Sequence, residues 1–281
     1  LKKLSARVYA STQYPGVNVG FVMMAAGAVA VDAPTLPADA RAWRREVTEK
    51  AGGPILYLVL TDAHPDRLLS AGLLGAPIVA SRAAYERAAR LADGPWRSAA
   101  ERWSHTHPDS AKALAQARPA LPEILLISSL TLSRGDDRLT VECVDGAAPG
   151  SVWLDLREEG VLFAGDTFVT GQHPRMEATA DSKAWLGTLK RLRRRAYEGT
   201  TIVPGRGSPC KPEATRQLSD YIAIVRRRAR SLRRTGRAGL AEAVAELIKF
   251  YAASADRREL EEQQARANLE QAIRQLTEEA S

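Results

Sequence analysis

The sequence predicts an α/β protein, a four-layer αββα sandwich with a helical extension at its C-terminus. Three observations predict it. Short apolar runs bounded by Gly, Pro and Asp recur between residues 17 and 81, and a second set of such runs spans 124 to 163. Helical spacing follows each set, so two halves of strands and then helix stack as two sheets face to face with helices outside. From Lys211 onward the pattern is helical to the end. The expected division is therefore a sandwich domain over 1–209 and a helical extension over 210–281.

Taken in order, Val17 to Met24 and Ala28 to Val31 read as strands joined by Ala-Ala-Gly, the second closing on the turn signal Asp32-Ala-Pro. A helix starts at Pro37 and is stopped by Gly52-Gly-Pro before a strand over 55–60. A short strand over 77–81 follows, then a helix from Arg82 to about Ala92 and two more through 117. The second half is read as strands near 124–132, 138–144, 151–156 and 161–164, a helix over 181–195 and a strand over 201–203. The extension divides at Gly236 and Gly239 into helices ending near Arg234, from Leu240 to Ala252, and from Arg257 to Glu278. The last carries Leu260, Ala267, Leu269, Ile273 and Leu276 among many charges, a narrow stripe that needs a partner. That partner is either the chain's own domain or a second subunit, with a lean toward a homodimer through these helices.

With 281 residues, 45% of them hydrophobic, the chain can bury a sizeable core. No window approaches 18 uninterrupted apolar residues, so no membrane span is expected. The start at Leu1-Lys-Lys-Leu-Ser, without Met, reads as trimmed, and no apolar core of a signal peptide remains; cytoplasm is the expected location. Cys143 and Cys210 form neither a disulfide framework nor a Cys-based zinc motif and are expected as buried free thiols. The net charge of +7 raises the question of nucleic acid. In the arginine clusters at 190–195 and 226–237, however, Leu189, Leu192, Ile222, Val225 and Leu232 fall at helical spacing, and no aromatic platform is interleaved. The arginines read as solvated helix faces, and nucleic acid is not the expected partner.

The most informative stretch is Thr61-Asp-Ala-His-Pro-Asp-Arg67 at the end of the apolar run 55–60. Asp62, His64 and Asp66, two residues apart, project from one strand end the N/O donors that borderline or hard divalent ions accept. Two later segments belong with it: Val161-Leu-Phe-Ala-Gly-Asp166, and Thr201-Ile-Val-Pro-Gly-Arg206-Gly. Together they resemble the metallo-β-lactamase superfamily, of the glyoxalase II-like general type. That family's pattern is His-x-His-x-Asp-His, a further His before Pro-Gly-Ser, an Asp after Gly, and a last His in Pro-Gly-His-Gly. On this chain those positions are Asp62, His64, Asp66, Arg67, Ala147, Asp166 and Arg206, the resemblance running from about residue 7 to 209.

His64, Asp66 and Asp166 keep the pattern and Asp62 could still ligate, whereas Arg67, Ala147 and Arg206 cannot, because a guanidinium offers donors only and a methyl offers nothing. The resemblance therefore implies the fold together with a degenerate two-metal site. Arg67 and Arg206 are expected to stand at the second metal position as bidentate partners of Asp66 and Asp166. No metal cofactor is expected, and the pocket would serve ligand binding or assembly, with capacity for a small anion or carboxylate. The competing expectation is a hydrolase of ester or thioester bonds that keeps one divalent ion on Asp62, His64 and Asp166, with His64 and Asp66 as the catalytic candidates. His105 and His107 are read as exposed loop histidines. For His173, near the presumed pocket, a structural role is favoured over one on the substrate side.

Overall fold

The structure, a computed structural model, describes residues 1–91, 94–251 and 258–278. The chain opens with β1 (Lys2–Lys3), β2 (Val8–Ser11), β3 (Val19–Met24) and β4 (Gly27–Val31). Helix α1 (Pro37–Ala51) leads to β5 (Ile55–Val59), the four-residue α2 (Pro65–Leu68) and β6 (Ile78–Ser81). Helices α3 (Arg82–Leu91), α4 (Pro95–Thr106) and α5 (Ala111–Gln116) precede β7 (Ile124–Leu126). These seven strands form one sheet in the order β1-β2-β3-β4-β5-β6-β7. A second sheet is built from β8 (Ser129–Arg134), β9 (Asp137–Cys143), β10 (Val152–Leu156), β11 (Val161–Val169) and, after α6 (Ser182–Leu192), β12 (Thr201–Arg206). Then come α7 (Thr215–Arg234), α8 (Leu240–Leu247) and α9 (Arg258–Glu278).

Strand alternation sorts the apolar residues into three layers. Val8, Val22, Val29, Val31, Val59 and Val79 of the first sheet meet Val141, Val152, Leu154, Phe163 and Val203 of the second between the sheets. Their neighbours one residue away, among them Tyr9, Phe21, Ala30, Leu58 and Ala80, turn outward and pack under α1, α3 and α4. On the far side Trp153, Leu162, Ala164 and Ile202 pack under α6, α7, α8 and α9. A slip of one residue in any of these strands would exchange its two faces, so the period-2 pattern fixes the register. The four-layer αββα sandwich is thus observed.

Several boundaries differ from those read in the sequence. The expected strand 124–132 is two strands: Val79↔Ile124 pairing draws β7 into the first sheet, and the chain then turns at Ile127 and Ser128 to begin β8 in the second. Only Ser128-Ser129, residues that a strand also tolerates, mark this switch in the sequence, so periodicity alone did not divide it. Strands β1 and β2 add to the first sheet ahead of the first expected strand. The helix expected to reach Ala252 ends at Leu247 in a 3₁₀ turn over Ile248–Phe250, while Ala92, Ala252 and Arg257 lie outside the described residues. No helix among the described residues is long and apolar enough to cross a membrane. Cys143 and Cys210 are free and only half-buried.

Within this chain, α9 lies against α7, with Ala265, Leu269, Ala272 and Leu276 in the same cluster as Tyr221, Val225, Ala229 and Leu232. Leu260, placed on the stripe in the sequence reading, is 64% exposed, and polar Asn268 and Gln275 take buried places on the helix instead. They are satisfied there by the segment before α6. Asn268 Nδ2 donates to the Pro174 carbonyl at 2.9 Å while its Oδ1 accepts from Met176 N at 3.0 Å. Gln271 Nε2 donates to the Thr179 carbonyl at 2.9 Å, and Gln275 Oε1 accepts from Ser182 Oγ at 2.7 Å. The extension therefore clamps residues 174–182, which form one wall of the site described next.

Candidate functional site

The side chains of the site come from the segment after β5, from β11 and from the end of β12. The chain beyond β5 carries Asp62 and His64, and His64 caps α2, its Nδ1 accepting from Asp66 N at 3.1 Å. Asp66 and Arg67 lie inside that short helix and are buried. Asp166 sits within β11 and Arg206 closes β12, which runs parallel to it. Two glycines allow this convergence. Gly165 has φ +55°, and a Cβ there would lie 2.5 Å from Thr61 Oγ1; a Cβ on Gly205 would collide with Asp166 Oδ1 and lie 2.6 Å from Arg67 Nη2.

The structure brings the sequence-predicted residues together as a network of ion pairs. Arg67, fully buried, donates from Nη2 to Asp166 Oδ1 at 2.7 Å and from Nη1 to Asp166 Oδ2 at 3.2 Å. Its Nε donates to Asp32 Oδ2 and to Thr61 Oγ1, each at 3.0 Å, and its Nη1 lies 3.4 Å from Asp62 Oδ1. Arg206 bridges two carboxylates, Nε to Asp166 Oδ2 at 3.2 Å and Nη1 to Asp66 Oδ2 at 3.1 Å. The two arginines thus contact the carboxylates expected of them: Arg67 grips Asp166 with both terminal nitrogens, and Arg206 spans Asp66 and Asp166. Ala147 is buried, its carbonyl accepting from Thr179 Oγ1 at 3.0 Å.

Three partners were missed in the sequence. Asp32, read as a turn residue, is buried at φ +55° and accepts from Thr61 N at 2.9 Å, so its carboxylate faces inward to Arg67. The available signal was an Asp directly after the apolar run 28–31, a residue type that tolerates the left-handed region better than most. Trp103 of α4 donates Nε1–H to Asp66 Oδ1 at 2.8 Å. Arg175, from a loop without sequence pattern, lies with Nη1 2.5 Å from His64 Nε2 and donates to Asp66 Oδ2 at 3.3 Å. His105, expected in a loop, is instead exposed in the last turn of α4, and His107 stacks half-buried on Trp103. His173 is buried between the Tyr221 and Tyr251 rings, with Nε2 3.6 Å from Glu261.

Burial and charge act against each other at every group. For Asp166, burial disfavours the charged form, but Arg206 and Arg67 hold the carboxyl well below its usual range. Asp66 follows the same course under Arg206 and Arg175. Asp62, with fewer donors, is pushed up to about 6 by burial in spite of Arg67. Burial, with Arg206 and Arg175 nearby, drives His64 well below its ordinary value, so the ring is neutral at pH 7. Its Nδ1 accepts from Asp66 N, and Nε2, the N–H of that tautomer, lies against Arg175 Nη1, so neither ring nitrogen points to open space.

Residues 27–206 match the family model of the metallo-beta-lactamase superfamily. The chain belongs to that superfamily. A metallo-beta-lactamase family protein from Thermus thermophilus superposes with a TM-score of 0.68 at 21% identity, over 99% of this chain and 95% of its own. A beta-lactamase domain protein from Burkholderia ambifaria gives 0.66 at 19% identity, over 99% and 88%. The sec-alkylsulfatase Pisa1 from Pseudomonas sp. gives 0.70 at 17% identity, over 97% of this chain and 49% of its own. No curated protein matches by sequence. Superfamily membership names a metal-binding rim, and the donors at this one are already engaged: both Asp166 oxygens and Asp66 Oδ2 accept from guanidinium, and Asp66 Oδ1 accepts from the Trp103 indole. Among the described residues, no group of three or more His, Cys, Asp or Glu could hold a metal ion.

Proposed function

We propose that this chain is a non-hydrolytic member of the superfamily, in which an Arg-Asp cluster replaces the metal pair and the cavity beside it binds a small anionic ligand. The observation that carries this reading is Asp166, whose two oxygens accept from both Arg67 and Arg206. Two unit charges 4 Å apart interact by about 4 kcal/mol at an effective dielectric near 20, so one fixed guanidinium repels a divalent ion by roughly twice that. Structural zinc with four good ligands gains only about 10–16 kcal/mol. Two guanidiniums offset most of that gain before the missing ligand at Ala147 is considered. Displacing them would also strand buried carboxylates.

The chemistry of hydrolysis is unsupported for a related reason. A superfamily hydrolase draws its nucleophile from metal-bound water, and of the residues left only Asp62, pushed up to about 6, keeps basicity near neutral pH, while on this reading no ion activates the water it would deprotonate. Asp66 is held too acidic to accept a proton near neutral pH, and the one accepting nitrogen of His64, Nδ1, is already engaged by Asp66 N. The cavity that opens beside them is about 340 Å³ and is lined by Asp62, His64, Ala147, Asp166 and Arg175 among others, a size that suits a small molecule.

Restoring the family's histidines tests the reading. The variant carrying Arg67→His, Ala147→His and Arg206→His is expected to bind zinc in equilibrium dialysis, and the parent chain to bind none stoichiometrically. A parent chain that retains one equivalent of metal and hydrolyses an ester or thioester would establish the competing one-metal hydrolase on Asp62, His64 and Asp166.

A further inference from the structure

The cavity beside the Arg-Asp cluster is also lined by arginines that make no ion pair among the described residues. Arg87 of α3 and Arg102 of α4 line the same cavity as Arg175. The Nε of Arg87 is buried and meets no acceptor among the described residues, a cost of about 1–3 kcal/mol if nothing else fills the place. Neither Arg87 nor Arg102 has an ion-pair partner among the described residues, in contrast to Arg67 and Arg206 a few ångströms deeper. Of the acids that line the cavity, Asp62 and Asp166 are held by Arg67, and Glu177 Oε1 already accepts from Gln264 Nε2 at 2.7 Å. Arg175 spends one nitrogen, Nη1, on His64 and Asp66, and its side chain stays 41% exposed.

We infer that Arg87, Arg102 and Arg175 form an oxyanion-binding subsite, which takes the phosphate, sulfate or carboxylate head of a small ligand inside this cavity. The inference deepens the ligand-binding reading above and rests on it. Guanidinium forks match the paired oxygens of such groups, and three of them, from α3, α4 and the loop before α6, line this one cavity. Pro65, Ala147, Ala148 and Ala178 also line the cavity and offer small apolar surface to the body of the ligand. Arg175 ties the subsite to the cluster, because the nitrogen that meets His64 belongs to a guanidinium that also lines the cavity. The loop that carries it is fixed by Asn268 of α9.

Calorimetric titration of the full chain with sodium sulfate, and separately with sodium succinate, at ionic strength held constant with sodium chloride, tests the subsite. Saturable one-to-one binding of at least one of these is expected, sulfate being favoured by a tetrahedral head group and succinate by a dicarboxylate. Arg102→Gln, at an exposed position, is expected to weaken it about tenfold without unfolding the chain, as loss of a hydrogen bond to a charged group does. Arg87→Gln with Arg102→Gln is expected to abolish it. Heats that never saturate, or affinity unchanged in Arg102→Gln, would overturn the subsite. Metal content measured on the same samples separates the two readings: saturable, Arg102-dependent binding by protein holding stoichiometric metal sinks the metal-free cluster and leaves the subsite standing. Metal-free protein without saturable binding sinks the subsite alone.

Discussion

Replacing Arg67 by Met keeps most of the buried volume and removes the charge, so it isolates what the guanidinium contributes. Arg67 is fully buried and supplies hydrogen bonds to Asp166, Asp32 and Thr61 while lying 3.4 Å from Asp62. Without it, Asp32 and Asp62 lose their main cation and Asp166 keeps only Arg206. Breaking a buried pair from one side costs about 3–5 kcal/mol, because a desolvated charge is left uncompensated. Against a typical total stability of about 5–15 kcal/mol this is a large fraction. At roughly 2–4 °C per kcal/mol for a large domain, the melting temperature should fall by about 6–20 °C. Urea denaturation followed by tryptophan fluorescence measures the loss. Adding Asp166→Asn should recover part of it, since the pair is then removed from both sides, and the cycle of single and double variants reads the coupling directly. A loss below about 0.5 kcal/mol for Arg67→Met, or strict additivity in the cycle, would refute the claim that Arg67 neutralises this buried acid cluster.

Other expectations rest on separate contacts. Gly205→Ala places a methyl against Asp166 Oδ1 and Arg67 Nη2 and should cost about 1–3 kcal/mol by overpacking, whereas Gly171→Ala, with open space around it, should report only its backbone strain. Asn268→Ala removes the ties to Pro174, Met176 and Tyr221 and should cost about 1–3 kcal/mol. Faster hydrogen exchange over residues 174–179 should accompany that loss, and unchanged exchange would contradict the clamp assigned to α9. His173 is held down to about 4 by burial, so its folded form binds fewer protons than the unfolded chain. Its contribution is therefore full above about pH 6.5 and is lost as pH falls toward 4. Melting curves should show His173→Phe with a shallower decline than the parent across that window; parallel curves would show that His173 does not titrate this way.

The sandwich was legible because its strands obey period 2 with turn residues between them, as at Val17 to Val31 and 55–60. The site positions stood out in the sequence because Asp66 and Arg67 lie in the short polar stretch after the run 55–60, and Asp166 and Arg206 each come in a Gly turn after an apolar run. Beyond those positions, local pattern carries no information about what crosses from other elements. Asp32 had the appearance of a turn residue, and only the fold shows its carboxylate turned toward Arg67. Trp103 reaches Asp66 from a helix whose pattern predicts a buried face but not its partner. Arg175 lies in a loop whose position is set by α9, some 90 residues later, so no window around it could have placed it. The division of 124–132 between two sheets was hidden for a comparable reason, since strand pairing partners, not strand propensity, decide it.

The most direct test of the central claim is an anomalous diffraction map at the zinc absorption edge, from crystals of the unaltered chain grown with excess zinc and no chelator. The account predicts no anomalous peak within bonding distance of His64 or Asp166, with Arg67 and Arg206 ordered on the Asp66 and Asp166 carboxylates. A fully occupied peak coordinated by His64 and Asp166, with those guanidiniums rotated away, would contradict it.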